Sequence, residues 1–292
     1  MNGDSLEMKI LGEKIRHYRK LRGISQSELA DGICTQATVS LIEKKDKIPS
    51  MEILVRICER LGITMNLVIV NDDSQIYSII SDIKKSFYQD DFDGINDKLG
   101  KLKNINVNNK QEIKLIHFFN GLIEYVVNNN FDKAIFDFNR AMNVNIANVD
   151  MYDILIDVFT AKAYINKKSV DEARVYYNQA KDLIKSSLDK IGDENYHDSI
   201  LIYANMADLS LKLDDNQKAM EYANEGIFIA RREQTLFKLD EMYCYLADAG
   251  TREGQKTDED YIKAYVISSI SENKQVFEKL KTKVKDMHLN IF

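Results

Sequence analysis

A single proline, Pro49, interrupts 292 residues, and only 12 glycines accompany it. Proline costs a helix interior about 3 kcal/mol and glycine about 1 kcal/mol, so a chain with so few breakers has little to stop helices from propagating. The expectation is an all-α protein. Length adds a second constraint: at about 150 residues per domain, two domains are expected. The patterns below divide them into a head at 1–66, a linker at 67–73 and a body at 74–292.

In the head, Leu11, Ile15, Tyr18 and Leu21/Arg22 follow a helical period, and Gly23 stops it. Ser25 and Glu28 then form a Ser-x-x-Glu capping box, which starts a second helix with Gln26 at its exposed first turn. Leu29, Ala30 and Ile33 face inward, and Gly32 breaks that helix. Ala30 is small, as a steep crossing of two helices requires. Thr35 caps a third helix through Val39 and Ile42 to about Lys44, and Ser50 caps a fourth carrying Leu54, Ile57 and Leu61.

This order resembles the lambda-repressor-like (XRE) helix-turn-helix family, with Leu11-Gly12, Arg19, Ser25-Gln26, Leu29-Ala30, Val39-Ser40, Ile42-Glu43 and Pro49 all at matching spacings. The resemblance implies that the third helix enters the major groove of double-stranded DNA. Its exposed residues would be Gln36, Ala37, Thr38 and Ser40: glutamine can pair bidentately with adenine, and the methyls can meet thymine. Arg19, Ser25, Gln26 and a basic loop of Lys44, Lys45 and Lys47 would grip phosphates. One such head makes few base contacts, so a homodimer on a palindromic operator is expected.

Charge supports this division of labour. Residues 1–66 hold 11 Lys/Arg against 9 Asp/Glu, whereas the remaining 226 hold 29 against 37. A basic head on an acidic body suits nucleic-acid binding better than the overall net charge of −6 suggests. Enzyme readings find no support. His17, His117, His197 and His288 are scattered, and no metalloprotease, nucleophile-elbow or nucleotide-binding motif occurs. Cys34, Cys58 and Cys244 are odd in number and widely spaced, so neither a disulfide framework nor a zinc site is expected. No cofactor or metal is called for. The stretch from Leu61 to Val70 is far short of the roughly 20 apolar residues that span a membrane, and Met1 to Glu7 lacks an apolar signal core. A cytoplasmic protein is expected.

The body repeats. Phe118, Gly121, Tyr125, Ala134, Phe138 and Ala141 mark one helix pair, and Ala161, Tyr164, Ala173, Tyr177 and Ala180 a second. Tyr203, Ala207, Ala219, Ala223 and Gly226 mark a third. Residues 74–104 and 236–271 read as a degenerate first and a fifth unit, with Val276, Leu280, Val284 and Met287 as the apolar stripe of a final capping helix. The pattern is similar to the tetratricopeptide repeat, whose stacked pairs form a solenoid with a groove lined by the first helix of each pair. That resemblance implies a peptide clamp at Asn120, Lys162, Asn205 and Asp208 and, in the fifth unit, Tyr245. Ile123 and Phe159 occupy clamp positions without clamp chemistry.

An XRE head on about five such pairs resembles the RRNPP peptide-pheromone regulators of Gram-positive bacteria, in particular their PlcR-like branch. The segments Leu21-Arg22-Gly23-Ile24-Ser25-Gln26, Ile33-Cys34-Thr35-Gln36 and Pro49-Ser50-Met51-Glu52-Ile53-Leu54 carry the resemblance. It implies a homodimeric transcription regulator, expected to activate, that senses a short imported signalling peptide. Where that branch has basic residues in the first repeat, this chain has Tyr88, Asp90 and Asp91, so Tyr88 joins the expected peptide contacts. The alternatives are a peptide-independent repressor and a repeat module that sequesters proteins.

Overall fold

The computed structural model describes residues 9–286 apart from 11, 46, 64, 66, 67, 71, 104, 145, 147 and 148. Leu11 and Met287, two of the expected core positions, lie outside the described residues. The chain folds as two compact units, 1–112 and 113–292.

The first unit begins with four short helices: α1 (Gly12–Leu21), α2 (Gln26–Ala30), α3 (Gln36–Lys45) and α4 (Met51–Leu61). The capping box at Ser25 is present in both directions. Glu28 N donates to Ser25 Oγ at 3.2 Å, and Ser25 N donates to Glu28 Oε2 at 2.6 Å. Thr35 Oγ1 accepts from Thr38 N at 3.1 Å, which fixes the start of α3. Gly23, at φ 69°, supplies the left-handed turn that ends α1. Ile15, Leu29, Ala30, Val39, Ile42, Leu54, Ile57, Cys58, Leu61 and Val68 close the core. A two-residue ladder of β1 (Lys9–Ile10) and β2 (Ile69–Val70) is the sole strand pairing among the described residues, a minor addition to an otherwise all-α fold. Leu21 departs from its expected inward position: it is 69% exposed, while Arg19 is buried in its place. An antiparallel pair, α5 (Asp72–Tyr88) and α6 (Phe92–Leu102), completes this unit.

The second unit stacks α7 (Lys110–Val126), most of which belongs to it, on α8 (Phe131–Met142). These are followed by α9 (Met151–Asn166) with α10 (Val170–Glu194) and α11 (Tyr196–Lys212) with α12 (Asn216–Arg232). Then come α13 (Leu239–Arg252) with α14 (Asp258–Ile270), and the final α15 (Lys274–Asp286). Small residues sit where helices touch. A Cβ on Gly121 would lie 2.6 Å from the Phe138 ring, and one on Gly226 would lie 2.1 Å from Met242 Sδ. Phe118, Tyr125, Phe138 and Phe159 pack ring against ring beside that contact. Val276, Leu280 and Val284 of α15 are buried, which seals the far end as expected of a cap.

Candidate DNA interface and repeat groove

The head's exposed face is organised from inside. Arg19 on α1 donates from Nε and Nη2 to the two carboxylate oxygens of Glu43 on α3, at 2.6 and 2.9 Å, and from Nη1 to the Ile24 carbonyl at 2.8 Å. Glu43 also accepts from Gln26 Nε2 at 2.8 Å, and Gln26 Oε1 in turn accepts from Gln36 Nε2 at 2.7 Å. The result is a relay from a buried ion pair, through half-buried Gln26 at the start of α2, to exposed Gln36 at the start of α3. Burial pushes the Glu43 carboxyl up, but the hydrogen bonds from Arg19 and Gln26 and the charges of Arg19 and Arg16 outweigh it and hold it below its usual range. The bond to Glu43 likewise raises the Arg19 guanidinium, against the opposing effect of burial.

Arg19 therefore departs from its expected role. Three of its five N–H donors go to Glu43 and a backbone carbonyl, and its side chain is 11% exposed, so in this structure it is a positioning residue for Glu43. Glu43, named above only as part of the family pattern, is the hub. The signal that could have found it is a charged residue at an inward position on each of two adjacent helices. Of the other expected DNA contacts, Gln36, Ala37, Lys44, Lys45, Lys47 and Ser25 are exposed, and Gln26, Thr38 and Ser40 are half-buried. Ser25 Oγ is occupied by the cap. Arg60 on α4 was not anticipated: its Nη1 reaches the carbonyls of Glu28 and Leu29, each at 3.2 Å, and that of Asp31, placing a cation on the C-terminal end of α2. Cys34 is half-buried and burial pushes its thiol up, away from the reactive thiolate.

In the second unit, three of the expected clamp residues meet. Lys162 Nζ donates to Asn205 Oδ1 at 2.9 Å and pairs with Asp208 Oδ2 at 2.7 Å, and Lys212 Nζ reaches the same oxygen at 2.6 Å. Asn205 Nδ2 closes on the Leu201 carbonyl at 2.9 Å. Burial raises the Asp208 carboxyl, but the two ammonium groups overcome this and bring it down to about 2. Burial pushes Lys162 down, against the pull of Asp208. Tyr125 on α7 senses Lys212 and Asp208, and Glu241 on α13 adds to the field at Lys162. Tyr245 Oη donates to Glu241 Oε2 at 3.5 Å. A polar strip thus runs across the first helices of successive pairs. The Asn120 side chain, half-buried on α7, has no hydrogen-bond partner among the described residues. Ile123 and Phe159 are buried. Tyr88 is on α5 in the first unit, half-buried beside Phe87.

Among the described residues no helix is long and apolar enough to cross a membrane, and none of the three cysteines is in a disulfide. His117 Nδ1 is buried without a hydrogen-bond partner among the described residues, and burial lowers its pKa.

Residues 15–68 match the helix-turn-helix family model. No curated protein sequence matches the chain. Solved structures do. PlcR of Bacillus thuringiensis, in complex with the peptide PapR7 and DNA, matches at TM-score 0.64 and 20% identity over 92% of this chain and 98% of that one. The SHP pheromone receptor Rgg2 of Streptococcus dysgalactiae matches at TM-score 0.53 and 14% identity, over 95% and 99% of the two chains. ComR of S. thermophilus, in complex with DNA and its signalling peptide ComS, matches at TM-score 0.50 and 15% identity, over 96% and 100%. The chain carries a helix-turn-helix domain at residues 15–68 and, along nearly its whole length, the fold shared by PlcR, Rgg2 and ComR.

Proposed function

We propose that this chain is a cytoplasmic, sequence-specific transcription regulator that binds palindromic DNA as a homodimer and is controlled by a short signalling peptide in its repeat groove, a quorum-sensing arrangement in which activation is the expected output. The observation that carries the reading is the relay that presents Gln36 on an exposed helix from a buried Arg19–Glu43 pair. Likeness to PlcR and ComR, whose structures hold DNA and a signalling peptide, supports both partners. We place the DNA-reading head at 1–66 and the regulatory repeats at 74–292, joined through 67–73. The head's hydrophobic cluster begins at Ile15 and ends at Val68, two residues into that linker.

The test is a gel shift of the full chain on promoter DNA, together with calorimetry against short hydrophobic peptides. Promoter binding weakened in Gln36→Ala, and peptide heat lost in Asn205→Ala, are the expected results. Unchanged DNA binding by Gln36→Ala would sink the assignment of the interface. One feature favours a second reading, a peptide-independent repressor: Lys162, Asn205 and Asp208 already satisfy one another. Absence of peptide heat with DNA binding intact decides for it.

A further inference from the structure

Away from the polar strip, a pocket of about 450 Å³ opens in the second unit. Its lining mixes Met142, Val149, Ile156 and Leu183 with the carboxylates of Asp153, Asp157 and Asp182. Asp153 and Asp157 are four residues apart on α9 and share one face. Asp157 is five residues before Lys162, a rotation of about 140° at 3.6 residues per turn, so it points away from the strip that holds Lys162.

The state of Asp157 is the unusual feature. Its residue is 5% exposed, it lines the pocket, and it has neither a hydrogen bond nor an ion pair among the described residues. A buried carboxylate without a partner is costly and calls for an explanation. Its neighbours do not supply a cation. Asp153 is taken by Lys114 at 2.7 Å and caps α9 through Asp150 N at 2.9 Å. On α10, Asp182 is exposed, and Tyr176 senses the Asp157 charge while its ring stacks on Tyr164. The lining residue from α8, Met142, is uncharged, and α11 contributes none. Burial, with the Asp153 charge added, brings the Asp157 carboxyl up to about 7.

We infer that this pocket is a binding site for an alkylammonium group, with the ammonium on Asp157 and the aliphatic stem along Met142, Val149, Ile156 and Leu183. A metal fits less well: no group of three or more metal-type ligands occurs among the described residues, and four apolar side chains offer an ion nothing. A lysine-like group satisfies both halves of the lining, as such side chains do when their stems lie on apolar surface. The site is independent of the peptide reading of the groove.

Calorimetry on the full chain with 1,6-diaminohexane tests this. Binding is expected at pH 8 and is expected to weaken about tenfold at pH 6, because ionisation of a group with a pKa of about 7 falls from about nine-tenths to about one-tenth across that range. Proton release on binding at pH 6, seen as a dependence of the heat on buffer ionisation enthalpy, is the accompanying signature. Asp157→Asn should weaken binding at least tenfold. Val149→Lys, at a 45% exposed loop position, should block the pocket with its own ammonium without disturbing the fold. 1,6-Hexanediol, with the same stem and no charge, should not bind. A second arm uses N-acetyl-lysine methylamide: binding of this probe alone assigns the source to a protein segment, and binding of the diamine alone assigns it to a free amine. Native diamine affinity in both variants, or no binding of either probe at pH 8, overturns the inference.

Discussion

Truncating Glu43 to alanine tests whether the DNA-reading surface depends on the buried ion pair. The carboxylate accepts from Arg19 Nε at 2.6 Å, Arg19 Nη2 at 2.9 Å and Gln26 Nε2 at 2.8 Å. Its own side chain is 0% exposed and that of Arg19 is 11% exposed, so water cannot replace it. Removing one member of a buried pair strands the other, at a cost of about 3–5 kcal/mol. Replacing both, as Arg19→Met with Glu43→Leu, removes the desolvation penalty along with the attraction and should recover most of that loss. A chain of two compact units has no single unfolding free energy, so the assay is native-state hydrogen exchange over residues 26–45. Glu43→Ala should speed exchange of the α3 amides by about 10²–10⁴-fold, and the double variant should return to within about tenfold of the native rate. DNA affinity then separates folding from presentation. In the double variant α3 is folded but Gln26 has lost its acceptor, so Gln36 is no longer held and binding should stay weak. Native exchange in Glu43→Ala, or native DNA affinity in the double variant, would refute the reasoning.

Other outcomes follow from the same geometry. Gln36→Ala should cost about 1–3 kcal/mol on the preferred operator and little on random DNA, whereas Lys45→Ala should weaken all sequences alike and reduce the salt slope by about one; titrations at several salt concentrations distinguish them. The Asp157 carboxyl is raised on folding to about 7. Its contribution is therefore fully present below the unfolded carboxylate value and is lost as pH rises from about 4 through about 7. Asp157→Asn should flatten the decline of second-unit stability across that window, as read by thermal melts at stepped pH. Asp208 has the opposite sign: its carboxyl is depressed to about 2, so its stabilisation holds above about 4 and disappears as pH falls towards 2. Asp208→Asn should remove that acid-side loss and leave Lys162 buried without its anion, lowering the melting temperature at neutral pH.

Much of the architecture was legible in local chemistry. Ser25 with Glu28, Thr35 and Ser50 announce three helix starts because each side chain satisfies an amide that the backbone cannot. The repeat was legible through Ala134, Ala173 and Ala219, although a sharper marker was available. Asp90, Asn129, Lys168 and Asp214 each adopt positive φ between the two helices of a pair. In three of the four cases an Asp or Asn cap follows at once, at Asp91, Asn130 and Asp215. These residues tolerate the left-handed conformation and then cap the next helix, so the doubled polar pair is the turn itself. Lys168 carries no such signal, which is why that turn is silent in the sequence. Arg19 was misplaced for a related reason. Periodicity assigns apolar residues inward, and it cannot foresee that a guanidinium will take Leu21's place once a carboxylate on another helix makes its burial tolerable.

Each unit gathers polar groups around a carboxylate, buried Glu43 in one and half-buried Asp208 in the other, and the difference between the two bears on how a signal could be read. Glu43 gathers Arg19 and Gln26 and so leaves Gln36 exposed and held in place. Such a surface meets its target with little left to order, which favours affinity and register. Asp208 gathers Lys162 and Lys212, and Lys162 occupies Asn205 as well. Here the polar groups have each other for partners and are not on offer. A ligand that uses the Asn205 oxygen has to take it from a buried ammonium, and it gains only if it returns something to Lys162. Binding at this strip is therefore an exchange of partners and not an addition to them. An exchange necessarily alters the α9–α11 contact, and a ligand shifts a conformational equilibrium only through such differential contacts. The head's relay holds its exposed end in place, whereas the strip between α9 and α11 offers a ligand only groups that are already paired.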